Sequence, residues 1–201
     1  MVYLQYCDGS MHSGARVSAT NDTFGLYFSG HRTIAAVLQH LSVHDTLNAK
    51  EGVRVVFAGG SAGGVGVFSN VEYVAEVLPH AKVLGAPIGG FVPEIEWFRG
   101  PFSSPPPDDL RTPAFVRLVS LYQSFLPRGC VAALGPESWR CELPAFSYSH
   151  ITVPLFMIEA ITDSVVLGGC VQKASVSHLP RLPLDTVLLP KGSREWRRSL
   201  C

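Results

Sequence analysis

Val53-Arg54-Val55-Val56-Phe57-Ala58-Gly59-Gly60-Ser61-Ala62-Gly63-Gly64-Val65 decides how this chain folds. Val53 to Ala58 is a short run rich in β-branched apolar residues, which suits a strand buried on both faces of a parallel sheet. Val67, Phe68, Val71, Val74, Ala75 and Leu78 then recur every three or four residues. The spacing predicts a helix over 65–78, stopped by Pro79. Strand, sharp turn and helix form the setting that G-x-S-x-G needs. The serine must sit on a strained turn, so its neighbours Gly59, Ala62 and Gly63 must be small. Such a turn lifts Oγ clear of the sheet and sets it beside a helix N-terminus, where the Ala62 N–H can help bind an oxyanion. Ser61 is therefore the candidate nucleophile and Ala62 the candidate oxyanion donor. The competing reading is a glycine-rich βα turn with an incidental serine. A phosphate-binding loop fits less well: there is no G-K-[ST], and Ser69 stands where G-x-G-x-x-G needs its third glycine.

Working outward, Val2 to Tyr6 reads as a short strand and residues 7–24 as a polar loop. Ile34, Val37, Leu38 and Leu41 predict a helix from Gly30 to about Leu47. Lys82 to Leu84 reads as another strand. Residues 85–113, with Pro105-Pro106-Pro107, read as a Pro-rich loop or lid. Ala114 to Leu126 returns to helical spacing, Pro154 to Ala160 is a second buried-strand candidate, and a last helix is expected near Ser193 to Leu200. This alternation predicts one α/β domain over residues 1–201, with a mostly parallel sheet flanked by helices.

The 201 residues carry 16 Lys+Arg against 16 Asp+Glu, with 47% hydrophobic residues. That balance excludes a disordered, highly charged chain, and it argues against nucleic acid as a partner. There is no apolar run long enough for a transmembrane helix. Met1 to Asp8 lacks the basic and apolar regions of a signal peptide. Of the cysteines, Cys130 and Cys141 enclose a short polar loop that suits a disulfide. The set, which also holds Cys7, Cys170 and Cys201, has no C-x-x-C spacing, and no metal site is expected. Asn21-Asp22-Thr23 is a glycosylation sequon, usable only in a secreted chain.

A serine nucleophile needs a base and a group that orients the base. In this fold the order is serine, acid, histidine. Asp163 follows the strand that ends near Ala160, where the acid should lie; the alternative is a turn residue closing the strand. Glu159 lies inside the strand and is a poorer candidate. Of seven histidines, His178 alone follows Asp163, and only 15 residues later. An ordinary surface histidine is the reading that spacing favours.

These residues carry a family resemblance. Phe57 to Val67, continuing through Asn70-Val71-Glu72 and Val74-Ala75-Glu76, resembles the pectin acetylesterase/Notum family, its Notum-like branch in particular. Tyr6-Cys7-Asp8-Gly9-Ser10 with Ser13-Gly14, the Cys130–Cys141 loop with Trp139, and Pro154-Leu155-Phe156 through Asp163 agree in order. The resemblance implies an α/β-hydrolase fold and a secreted carboxylesterase that uses no cofactor. Its substrate would be an acylated polysaccharide or an acylated protein. Ser61 would be the nucleophile, Asp163 the triad acid and Ala62 one oxyanion donor.

The family's Gly-Gly-Trp segment precedes Tyr-Cys, and its catalytic histidine lies beyond the final helix. The resemblance thus implies a chain truncated at both ends, lacking that histidine and part of the oxyanion hole. By that alignment His178 is not the base. Ala86-Pro87-Ile88-Gly89-Gly90-Phe91 replaces a family stretch that usually carries Asp-Ser or Asp-Ala. A non-catalytic binding domain and an inactive fragment are the competing readings. The aromatics Phe91, Trp97, Phe98 and Phe102 lean toward an apolar lid.

Overall fold

The computed structural model describes residues 1–45, 47, 52–92, 113–160 and 163, with 113–115 described as backbone only. Five helices and two strands organise them: α1 (Gly30–His44), β1 (Arg54–Gly60), α2 (Ala62–Val77), β2 (Lys82–Ile88), α3 (Pro113–Tyr122), α4 (Arg128–Leu134) and α5 (Pro144–Ser147). Strands β1 and β2 are parallel, in register from Arg54 opposite Lys82 to Gly60 opposite Ile88. Residues 155–158 extend the sheet through parallel bridges Gly85–Leu155 and Ile88–Ile158. Four backbone bonds hold this third strand to β2, from Gly85 N–H to Pro154 O at 2.9 Å through to Gly89 N–H to Ile158 O at 2.8 Å.

Helix α2 is the centre of the core because both of its long faces are apolar. Val67, Phe68 and Val71 pack with Ile151 and Val153, while Val74 and Leu78 pack with Ile34 and Leu38 of α1. Full burial of each such side chain stabilises by about 1.5–3 kcal/mol. Gly85 makes room for this packing: a Cβ there would lie 2.4 Å from Leu155 and 3.1 Å from Val71.

Three sequence expectations change. Residues 2–6 form no strand, since no described segment pairs with them. Strand β1 alternates exposed and half-buried residues, with Val56 62% exposed, because α2 covers one face and no described residue covers the other. Strand β2 runs on to Ile88, so residues 85–88 belong to the sheet rather than to a loop. Pro87 lacks an N–H, yet its carbonyl still accepts the Ile158 N–H at 3.0 Å. Residues 93–112, the expected helix near Ser193, and Cys170, His178 and Cys201 lie outside the described residues.

Cys130 and Cys141 form the expected disulfide, both fully buried. The next residue, Glu142, is also buried. Its carboxylate sits beside the Ser13 and Ser124 hydroxyls, but no described group meets hydrogen-bond geometry with it. Ser13 donates to Ser10 O at 2.7 Å and lies 3.1 Å from Ser124 Oγ. Burial pushes the Glu142 carboxyl up to about 7, and the two serines pull it only partly back.

Candidate active site

Ser61 joins β1 to α2 with φ +52° and ψ −119°, a backbone region that L side chains rarely occupy. Two bonds hold it there: its N–H donates to Ile88 O at 2.8 Å, and its carbonyl accepts the Val65 N–H at 3.1 Å. Gly59 makes the turn possible, since a Cβ there would fall 2.3 Å from Gly63 O. Gly63 has open space, whereas Gly64 is crowded, with a Cβ reaching 2.8 Å from Gly90 Cα. Gly59 is thus required as the sequence reading has it, while the second crowded glycine is Gly64 rather than Gly63. Ser61 is exposed, and Ala62 opens α2, where the first N–H groups have no intrahelical acceptor.

Asp163 follows the third strand and is half-buried, with its N–H donating to Ala160 O at 3.1 Å. A Cβ on Gly89 would stand 4.0 Å from Asp163 Oδ2. Ser61 is held by Ile88 and Asp163 stands beside Gly89, so both lie at the same end of β2. That end is where the carboxyl termini of parallel strands open a crevice for ligands.

Glu159 joins these parts. Its Oε1 accepts the Gly90 N–H at 3.1 Å and the Phe91 N–H at 2.8 Å. Burial raises its pKa, the Phe91 and Gly90 N–H groups lower it, and the Asp163 charge raises it again. Glu159 therefore fixes the turn whose Gly90 packs on Gly64 in the first turn of α2. Sequence reasoning set it aside as an in-strand acid; the signal was the Gly90-Phe91 pair just past the end of β2, whose N–H groups have left the ladder and need an acceptor.

Two histidines near α2 have other work. Asn70 Nδ2 donates to His12 O at 3.0 Å and to Gly66 O at 2.9 Å, so Asn70 Oδ1 accepts from His31 Nδ1 at 2.7 Å. That assigns His31 the Nδ1–H tautomer. Its ring stacks on Phe125 at 3.8 Å, and burial lowers its pKa. Burial lowers the pKa of His12 as well. Asp8 from the Tyr6–Ser10 segment also has a structural role, as its Oδ2 accepts the Gly30 N–H at 2.6 Å at the start of α1. An open groove of about 780 Å³ along α1, lined by Val17, Tyr27, Arg32 and Val37 among others, includes neither Ser61 nor Asp163. Among the described residues, no group of three or more His, Cys, Asp or Glu could hold a metal ion, and no helix is long and apolar enough to cross a membrane.

Comparison with known proteins fits this geometry. The family model described as PAE, Pectinacetylesterase, matches residues 1–181. The chain belongs to the pectinacetylesterase family. Among curated members, the palmitoleoyl-protein carboxylesterase NOTUM of Schmidtea mediterranea is 28% identical over 212 residues, covering 95% of this chain and 38% of that protein. The NOTUM of Homo sapiens is 27% identical over 173 residues, covering 83% of this chain and 34% of that protein. This pectinacetylesterase-family chain thus spans little more than a third of their length. The solved structure of the Wnt deacylase Notum from Drosophila aligns with TM-score 0.73 and 24% identity, over 84% of this chain and 50% of that one. The fold is that of the α/β-hydrolases, as the family resemblance implies.

Proposed function

We propose that the protein is a carboxylic ester hydrolase in which Ser61 is the nucleophile, Asp163 the triad acid and the Ala62 N–H one oxyanion donor. The observation that carries this reading is the strained Ser61 backbone at the carboxyl end of a parallel strand. A non-glycine residue held at positive φ costs about 1–3 kcal/mol and persists where the surroundings force it. Here the tight Gly59 turn and the Ile88 carbonyl do so. Membership of the pectinacetylesterase family supports the reaction class.

In the reaction, Ser61 Oγ attacks the ester carbonyl while a histidine base takes its proton. The tetrahedral oxyanion sits near the N-terminus of α2, and collapse expels the alcohol, which receives that proton. Water then repeats the sequence and releases the acid. Asp163 would hold the base in its tautomer. A fatty acyl ester of a protein and an acetyl ester of a polysaccharide are the substrate classes in view. The buried Cys130–Cys141 disulfide supports an extracellular location.

The test is hydrolysis of p-nitrophenyl acetate and octanoate, together with fluorophosphonate labelling, by this chain, its Ser61→Ala form and a version carrying flanking sequence. Ser61-dependent labelling and turnover are expected once a base is present. Labelling that survives Ser61→Ala would refute the assignment. A folded extended chain with neither labelling nor turnover would favour the binding-domain reading.

A further inference from the structure

We propose that Asn21 is an N-linked glycosylation site. Asn21-Asp22-Thr23 is the single Asn-x-Ser/Thr sequence in the chain, since Asn48 and Asn70 are followed by Ala-Lys and Val-Glu. It sits on a surface excursion, residues 17–27, closed at its base by the Arg16 N–H donating to Phe28 O at 3.0 Å. Within the excursion, Asn21–Thr23 forms one turn of 3-10 helix. Thr23 Oγ1 donates to Thr20 O and accepts the Thr20 N–H, both at 2.9 Å. The Phe24 N–H bonds to Asn21 O and the Gly25 N–H to Thr20 O, so the turn is stabilised by its own residues.

The two sequon residues have opposite environments. Thr23 is fully buried, while Asn21 is exposed. The hydroxyl that a glycosyl-transferring enzyme must read is therefore hidden once the turn closes, and transfer has to precede closure. Asn21 stays outside afterwards, so the folded chain accommodates a glycan without rearrangement. Phe24, Leu26 and Tyr27 beside it are 90%, 57% and 62% exposed. A bulky hydrophilic group on Asn21 would shield these apolar side chains. The Cys130–Cys141 disulfide is a separate indication of the oxidising secretory route where such transfer occurs.

The donor would be an oligosaccharide carried on a polyprenyl diphosphate. The Asn21 Nδ2–C1 bond forms, the C1–oxygen bond to the diphosphate breaks, Nδ2 gives up one proton, and the polyprenyl diphosphate departs. No electron transfer is involved. The inference shares the secretory location with the proposed function but does not depend on Ser61 chemistry.

The test is expression of the full chain behind a supplied secretory leader in mammalian cells, with lysate and medium treated with peptide N-glycosidase. A supplied leader forces entry, so the outcome is independent of the chain's own targeting. The expected result is a one-glycan mobility shift, removed by the enzyme, lost completely in Asn21→Gln and kept in Thr23→Ser. An unshifted band in both fractions, with the Cys130–Cys141 disulfide shown to be intact by the resistance of both cysteines to thiol alkylation, would overturn the proposal. A shift persisting in Asn21→Gln would do the same.

Discussion

Replacing Glu142 by glutamine should remove a pH dependence built into the junction of three segments. Glu142 follows the disulfide, Ser13 comes from the loop before α1, and Ser124 follows α3. Tyr122 faces the same site, and Glu142 is among the charges that raise its pKa. The hydroxyl protons are too few for the acceptors: Ser13 donates to Ser10 O, leaving Ser124 to serve both Ser13 and the carboxylate. A protonated Glu142 supplies the missing donor. Its pKa rises from 4.5 to about 7 on folding, so full ionisation destabilises the native state by about 3 kcal/mol.

The sign follows from proton binding. Below 4.5 both states hold the proton; between 4.5 and about 7 the unfolded chain has lost it and the folded chain has not. Stability from this group is therefore greatest in acid and lost as pH rises through about 7. Between pH 5 and pH 8 the loss is roughly 2–3 kcal/mol, or a Tm decrease of about 5–10 °C. His12 and His31 act in the opposite direction, because burial lowers their pKa values and their contribution is lost as pH falls. The informative quantity is therefore the difference between the parent and Glu142→Gln, measured by urea unfolding at both pH values with the disulfide intact. That difference should shift toward the variant by roughly 2–3 kcal/mol at the higher pH. Parallel stability profiles for the two proteins would refute the reasoning.

Glu159→Ala leaves the Gly90 and Phe91 N–H groups without their acceptor and should cost about 1–3 kcal/mol in urea unfolding; Glu159→Gln, which keeps an oxygen there, should recover most of it. Gly90→Ala would place a Cβ 2.5 Å from the Gly64 carbonyl carbon, so a loss of about 1–3 kcal/mol or more is expected by thermal melting. Gly63→Ala has nothing within 4 Å of its new Cβ and should be neutral or stabilise by up to about 1 kcal/mol.

The elbow was legible in sequence because three signals coincide within a dozen residues: a β-branched run, small residues around a serine, and helical spacing after it. The third strand and Asp163 at its end followed from the same logic. What sequence could not show depends on partners. An apolar stretch such as Val2 to Tyr6 becomes a strand only beside another strand. Pro87 looks like a breaker until its carbonyl is seen in the ladder. Glu159 looked idle because its role lies in backbone donors sixty-eight and sixty-nine residues away in sequence. Glu142 drew no notice, as nothing in Arg140-Cys141-Glu142-Leu143 announces that the acid is buried.

The left-handed backbone at Ser61 sets two kinds of selection against each other. Glycine occupies φ near +52° without the penalty a serine bears there. A library of variants recovered only for thermal survival should therefore drift to glycine at position 61. A library recovered for ester cleavage should keep serine and accept a slightly less robust protein. The residue that survives in each pool would report which demand shaped this turn, without any need to know the substrate.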